Sequence, residues 1–397
     1  MFDTTARKGA LALCAATMVL AGCAEEQGGD SGGGGGGGEE ESGPVKIGAV
    51  LDITGAGASL GVPERDTLEL LADQLNSDGG IDGREVELII EDNASTEDGA
   101  ARAINKLITE DQVDIVLGAS RTGPSLAMRP IAESNQFPMI SLAANVAIVD
   151  GSEWVFKTAQ NDSVVIENIV ADAAEKGYTT LGLIRDASGF GEGVEEQFNS
   201  IGEEFGISVI ATESFAPDAT DFTAQMVNIR DAGADANIIW GIPPAAGLAQ
   251  VAYRQLGIQA PVYQSHGIGN QVFLDTAGAA ADGLVAPLGR LVVRDQLPED
   301  DPQREVIMAF ADAYEEEYGA GPSTFAGHAY DGFQLAVNAI AEVGTDPEAI
   351  RDYLESVTDF VGVSGTFTMT PEDHSGLTAE DLVLVTVEDG EFTLIES

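Results

Sequence analysis

Cysteine is nearly absent from this 397-residue chain: there are two, Cys14 and Cys23, both close to the N-terminus. Everything after Cys23 is therefore without disulfides, thiol nucleophiles or thiolate metal sites. It must be held by its core alone; its length is ample for that and would normally split into two domains. Basic side chains are scarce as well. Lys and Arg number 18 against 67 Asp and Glu, a net charge of -49, and only five are lysine. A phosphate backbone needs a basic surface, so nucleic acid is excluded as a partner, and electrostatic docking on anionic lipid is disfavoured. The acid is spread along the chain instead of forming a tail. That is the pattern of a surface kept soluble where salt screens repulsion, and it points to a halophilic source. Histidine occurs three times, at His266, His328 and His374, too far apart for metal-ligand spacing. No Gly-x-Ser-x-Gly elbow is present. Acidic pairs such as Asp300-Asp301 suit solvation better than acid/base work. No cofactor and no catalysis are expected.

Long apolar runs are also missing. The one early candidate, "GALALCAATMVLAG" after Arg7 and Lys8, is too short to span a bilayer and reads as a secretory signal over residues 1–22. It ends in "LAGC", which resembles the bacterial lipobox, in which the Cys is lipidated and becomes the mature N-terminus; here that is Cys23. The alternative is a buried apolar helix with a chance cysteine. "AEEQGGDSGGGGGGGEEESGP" follows, with no residue large enough for a core, and residues 23–44 are expected to be a flexible tether. A folded body anchored just outside a membrane is implied.

From Val45 the pattern alternates between buried strands and amphipathic helices. "VKIGAVLDITGAGASLG" is a strand running into a Gly-rich loop with Gly55, Gly57 and Gly61. Such loops often cradle phosphate, and the next strand ends in Glu91 and Asp92, where a ribose-binding acid could sit. The glycine spacing is off the dinucleotide fingerprint, and NAD or ATP is not normally supplied outside a membrane. The plainer reading is a tight turn. Pro63 is expected to open a helix with Leu68, Leu71 and Leu75 on one face, stopped by "DGG". Further βα units run to "FPMISLA". A second series starts after "EWVFKTAQND" and continues to "APVYQSHG". The chain closes with three helices and a hairpin about Asp389-Gly390. The fold class is α/β, with two doubly wound parallel-sheet lobes joined by a hinge. Ligands of such sheets sit at the carboxyl ends of the strands, and two facing edges make a cleft that closes.

The stretches "KIGAVLDITGAGASLG", "NSDGGIDGREVELIIEDNAS", "FGEGV", "ATDFTAQMVNIRDAGAD" and "AYDGFQLAVNAI" resemble the leucine/isoleucine/valine-binding family of type I periplasmic binding proteins, from about Val45 to the end. The resemblance implies the two-lobed fold, with residues 45–161 plus 288–365 in lobe 1 and 162–287 plus 366–397 in lobe 2. It implies an extracellular receptor that delivers a hydrophobic amino acid or related small molecule to ABC permease subunits, as a monomer. The "TG…LG" loop would then line the cleft rim without a nucleotide.

The family's site carries across residue by residue. In "GASRTGPS", Thr122 and Gly123 stand where a Ser or Thr and its neighbouring amide hold the ligand carboxylate; the other reading of Thr122 is a cap for the next helix. In "SLAANV", Ala143 matches a backbone ligand and Asn145 stands where Thr is common. Phe190 replaces a frequent Tyr, and its ring would cover the ligand on closure. Ile242 replaces another Tyr, and the nearby Trp240 is equally readable as core. His266, in "QSHGIG", stands where relatives have a carboxylate for the ligand ammonium; the other reading is a solvated loop residue. Asp52 is the expected substitute for that acid, which favours an amino acid over a ligand without an amine. Two rivals remain: a receptor that reports a ligand to a sensor kinase, and a secreted α/β enzyme.

Overall fold

The computed structural model describes residues 43–395. The expected signal segment, Cys23 and nearly all of the tether lie outside the described residues. No helix among the described residues is long and apolar enough to cross a membrane.

The first lobe alternates β1 (Val45–Leu51), α1 (Ala58–Ser77), β2 (Val86–Asp92), α2 (Glu97–Lys106), β3 (Ile115–Gly118), α3 (Thr122–Asn135), β4 (Met139–Ser141) and β5 (Val155–Lys157). Its sheet runs β2-β1-β3-β4-β5, with every pair parallel. β1 lies between two neighbours and is buried on both faces, which is why "VKIGAVL" is apolar nearly throughout instead of alternating. β5 was not expected: "EWVFKTAQND" reads as a connection, and only pairing with β4 makes three of its residues a strand.

The second lobe continues with α4 (Asp162–Glu175), β6 (Thr180–Asp186), α5 (Val194–Phe205), β7 (Ser208–Phe215), α6 (Thr223–Ala232), β8 (Ala236–Trp240), α7 (Ala245–Gln255) and β9 (Val262–Gln264). Its sheet runs β7-β6-β8-β9, again parallel. After α8 (Gln271–Ala277), β10 (Ala286–Gly289) pairs antiparallel with the closing hairpin. The helices α9 (Arg304–Tyr318), α10 (Thr324–Val343) and α11 (Pro347–Leu354) and the short ribbon β11 (Phe360–Val361) and β12 (Thr366–Phe367) precede that hairpin, β13 (Leu382–Glu388) and β14 (Glu391–Leu394). Phe333, Ile340 and Ile350 of α10 and α11 pack on the first sheet with Ile47, Leu117 and Ile140. The chain therefore returns to the first lobe before ending on the second. The connecting segments are tied together: Thr158 Oγ1 donates to the His328 carbonyl at 2.8 Å, and Gln160 Nε2 to the Ser364 carbonyl at 2.8 Å.

The glycines after β1 serve packing. Gly55 adopts φ +91°, and the Gly57 amide donates to Ser95 Oγ at 2.9 Å. A Cβ on Gly57 would lie 2.3 Å from the Asp52 carboxylate, and one on Gly61 would lie 2.5 Å from the Asp52 carbonyl. The loop thus lets α1 press onto the end of β1. The acids suited to a ribose are engaged elsewhere: Asp92 braces Thr54 Oγ1 at 2.6 Å, and Glu91 pairs with Lys106. Pro63 lies inside α1 and does not open it. Its missing N–H leaves the Ser59 carbonyl without a helical donor, and Asn270 Nδ2 supplies one at 3.4 Å.

Candidate functional site

A cavity of about 760 Å³ opens at the carboxyl ends of the strands of both parallel sheets. Pockets of this size commonly hold small ligands. On the first lobe it is lined by the segments after β2, β3 and β4 and by Leu60 of α1; on the second, by the loops after β6, β8 and β9; the start of α10 contributes Phe325 and His328. The lobes meet at its edges. Ser59 Oγ donates to the Pro243 carbonyl at 3.2 Å and Asn145 Nδ2 to the Gly189 carbonyl at 3.3 Å.

The first-lobe wall is built around the start of α3. The chain leaves β3 through Ser120 and Arg121 and turns directly into the helix, with no side-chain cap. Thr122 is therefore not a capping residue. The Ser125 amide bonds the Arg121 carbonyl at 3.0 Å, and Pro124 has no N–H. The amides of Thr122 and Gly123, with the Thr122 hydroxyl, are left without a partner among the described residues. Helix N-terminal amides carry partial positive charge and suit an anion. Ala143 also lines this wall, its amide directed at Ser141 Oγ at 3.2 Å.

Arg121 lines the cavity and is held from behind. Its Nε bonds Asp52 and its Nη2 the Ser95 carbonyl at 2.6 Å. Asp52 is fully buried, also accepts Asn93 Nδ2 at 2.6 Å, and does not line the cavity. The expectation that Asp52 receives a ligand ammonium is thereby corrected: its carboxylate positions Arg121. Asn145 is likewise outside the lining. Its Oδ1 accepts the Ala147 amide at 2.9 Å, bracing the turn after β4, and its amide group reaches across to the other lobe. Glu64 stands behind the same wall; burial pushes its carboxyl well above the ordinary range, and the nearby Asp52 adds to this.

The second-lobe wall is largely apolar and aromatic, with Ser188 and Glu192 as polar members. Phe190, Ile242, His266 and Gly267 line it. Trp240 is core, fully buried behind them, with Nε1 donating to the Phe190 carbonyl at 3.1 Å. His266 is only 4% exposed, so it is not a solvated loop residue. Its ring stands edge-on to Phe190 at 5.5 Å and to Trp240 at 5.9 Å. Burial, with His328 and Lys157 nearby, pushes its pKa down to about 3. His328 is also lowered to about 3 by burial and Lys157, while its Nδ1 bonds Ser364 Oγ at 3.1 Å. Both rings are neutral at ordinary pH. Lys157 is buried, with Nζ on the Ala144 and Ala159 carbonyls, and burial lowers its pKa. The acids that reach the cavity, Glu97, Asp98 and Glu192, are exposed.

Of the residues expected at the site, Thr122, Gly123, Ala143, Phe190, Ile242 and His266 come together around one cavity; Asp52 and Asn145 stand behind it or beside it. Arg121, Phe325, Leu60 and His328 were missed. Arg121 was visible beside Thr122 in "GASRTGPS", whereas nothing in "TFAGHAY" distinguishes a cavity-facing histidine from a core one.

Comparison with known proteins agrees with the two-lobed fold. A family profile described as periplasmic binding protein covers residues 44–391. The leucine-, isoleucine-, valine-, threonine-, and alanine-binding protein of Pseudomonas aeruginosa is 25% identical over 320 residues, covering 79% of this chain and 83% of that protein. An extracellular ligand-binding receptor from Rhodopseudomonas palustris HaA2 superposes with a TM-score of 0.83 at 30% identity, covering 89% of this chain and 99% of that one. The branched-chain amino acid transporter substrate binding protein LivJ from Streptococcus pneumoniae, solved in complex with isoleucine, gives 0.77 at 28% identity, covering 88% and 97%.

Proposed function

The chain belongs to the periplasmic binding protein family, and from that premise we propose that it is the lipid-anchored solute receptor of an ABC importer for a small carboxylate. Lipid on Cys23 and the Gly/Glu-rich tether hold the two lobes outside the membrane. The lobes close on the solute and present it to a permease. The observation that carries this reading is the pairing of walls in one cavity. Unpartnered amides and a hydroxyl at Thr122 and Gly123 face an apolar wall of Phe190 and Ile242. Donors at a helix start suit a carboxylate, with charge-assisted bonds, and the opposite wall suits a short apolar body. Arg121, held by Asp52, adds guanidinium N–H donors on the carboxylate side. The named relatives that bind branched-chain amino acids support a solute of that size.

The test is a thermal-shift screen of amino acids, 2-oxo acids, 2-hydroxy acids, amides and small carboxylates in high salt. A ligand that binds only the folded state raises its melting temperature. At least one carboxylate is expected to do so, and to lose the effect in Thr122→Ala. If only uncharged or cationic compounds shift the midpoint, the carboxylate reading fails.

A further inference from the structure

The ring nitrogens of His266 narrow the solute class. Nδ1 is sealed inside the protein and has no hydrogen-bond partner among the described residues. Nε2 is the nitrogen left on the cavity side, since His266 lines the cavity and no group among the described residues bonds it. A neutral imidazole carries its proton on one nitrogen only. A proton on Nδ1 would bury an orphaned N–H, the rarer and costlier outcome. A proton on Nε2 leaves a bare lone pair inside and directs an N–H into the cavity, where solvent or solute can accept it.

We propose that His266 acts as a hydrogen-bond donor in its Nε2–H form, and that the solute is a carboxylate whose second polar group is an uncharged oxygen acceptor, such as a carbonyl or hydroxyl, instead of an ammonium. This rests on the carboxylate-capture reading and specifies its other end. An ammonium has only donors and would face a donor across a desolvated wall. Of the buried acids behind the first-lobe wall, Asp52 is engaged by Arg121 and Asn93, and burial pushes Glu64 toward its neutral form. Glu97, Asp98 and Glu192 line the cavity but are exposed, where a charge pair contributes little. Phe190 and Trp240 pack edge-on with the His266 ring and restrict its rotation.

The experiment is calorimetry on the full chain in high salt with leucine, valine, their 2-oxo acids and their 2-hydroxy acids, combined with nitrogen-15 NMR of the histidine rings at pH 7. The oxo or hydroxy acids are expected to bind at least on the order of tenfold tighter than the amino acids, one neutral hydrogen bond's worth. The NMR signal lost in His266→Gln is expected to show the Nε2–H form. His266→Gln keeps a donor and should keep the oxo-acid preference. His266→Glu, checked for folding by circular dichroism, should reverse it. Tighter binding of leucine or valine to the parent overturns the proposal while leaving carboxylate capture standing; if that binding is lost in Glu97→Gln, the ammonium partner is Glu97. An Nδ1–H form also overturns it. If none of these acids binds, the proposal fails; carboxylate capture fails with it only if no other small carboxylate shifts the melting temperature in the wider screen.

Discussion

Gly61→Ala tests the packing that shapes the first-lobe wall. A Cβ at Gly61 would stand 2.5 Å from the carbonyl carbon and oxygen of Asp52 and 2.7 Å from its nitrogen, all backbone atoms. Asp52 has little freedom to retreat. The preceding residue, Leu51, ends a strand with neighbours on both sides, the Asp52 amide donates to Ser120 Oγ at 3.0 Å, and its carboxylate is bound by Asn93 and Arg121. Forcing a methyl into such a site costs roughly 1–3 kcal/mol or more, while Ala gains about 1 kcal/mol over Gly as a helix former. A net loss of about 0–2 kcal/mol or more follows, toward the upper end because the atoms met are rigid backbone. Gly123→Ala is the matched control. It also lies in a helix, but its Cβ would meet only the Oε1 of Glu97 at 2.8 Å, the end of an exposed, flexible side chain. It is expected to be neutral or stabilising by up to about 1 kcal/mol. Urea midpoints in constant salt, with unchanged slope, measure both. A Gly61→Ala midpoint at or above the parent's, or equal shifts for the two variants, would refute the packing argument.

Thr122→Ala should weaken carboxylate binding by roughly ten- to a hundredfold, the loss of one charge-assisted hydrogen bond; unchanged affinity in calorimetry removes Thr122 from the site. His328 has a folded pKa of about 3, below its unfolded value near 6.5, so its contribution is fully present above pH 6.5 and is lost as pH falls toward 3. Between pH 7 and pH 5 the parent should therefore lose about 2 kcal/mol more than His328→Gln by urea unfolding, with other titrating groups cancelling in the comparison; equal losses count against a neutral buried ring. Unfolding midpoints should rise with salt, because repulsion within a chain of net charge -49 reaches ~30 Å at 0.01 M and only ~3 Å at 1 M; a flat trend removes the halophile inference. Cys23→Ser should release the protein from the membrane fraction of its host, and retention at the parent's level refutes the anchor.

Much of the architecture was legible because it follows from periodicity. β1 is apolar throughout since it is buried on both faces, and the Asp389-Gly390 hairpin follows from turn chemistry. β5 and β10 were not legible: each is three or four residues long and becomes a strand only by pairing. Among the residues that line the cavity, Thr122 and Phe190 were expected from short motifs next to strand ends. Asp52 was misjudged because its place at the end of β1 says nothing about what else reaches it. Arg121 is 69 positions away in sequence and takes its carboxylate.

By itself, the sequence determined the alternation of strands and helices, the two-lobed α/β class, the absence of disulfides in the body and the excess of acid, since each depends on local composition or spacing. Tertiary structure alone decided which polar groups remain available to a solute. The glycines after β1 proved to be spacers for α1, Asp52 the support of Arg121, and His266 a buried ring with one nitrogen sealed. The physical reason is that hydrogen-bonding capacity is limited: a side chain serves a ligand only with atoms that distant parts of the chain have left unpaired, and those partners are set by the fold.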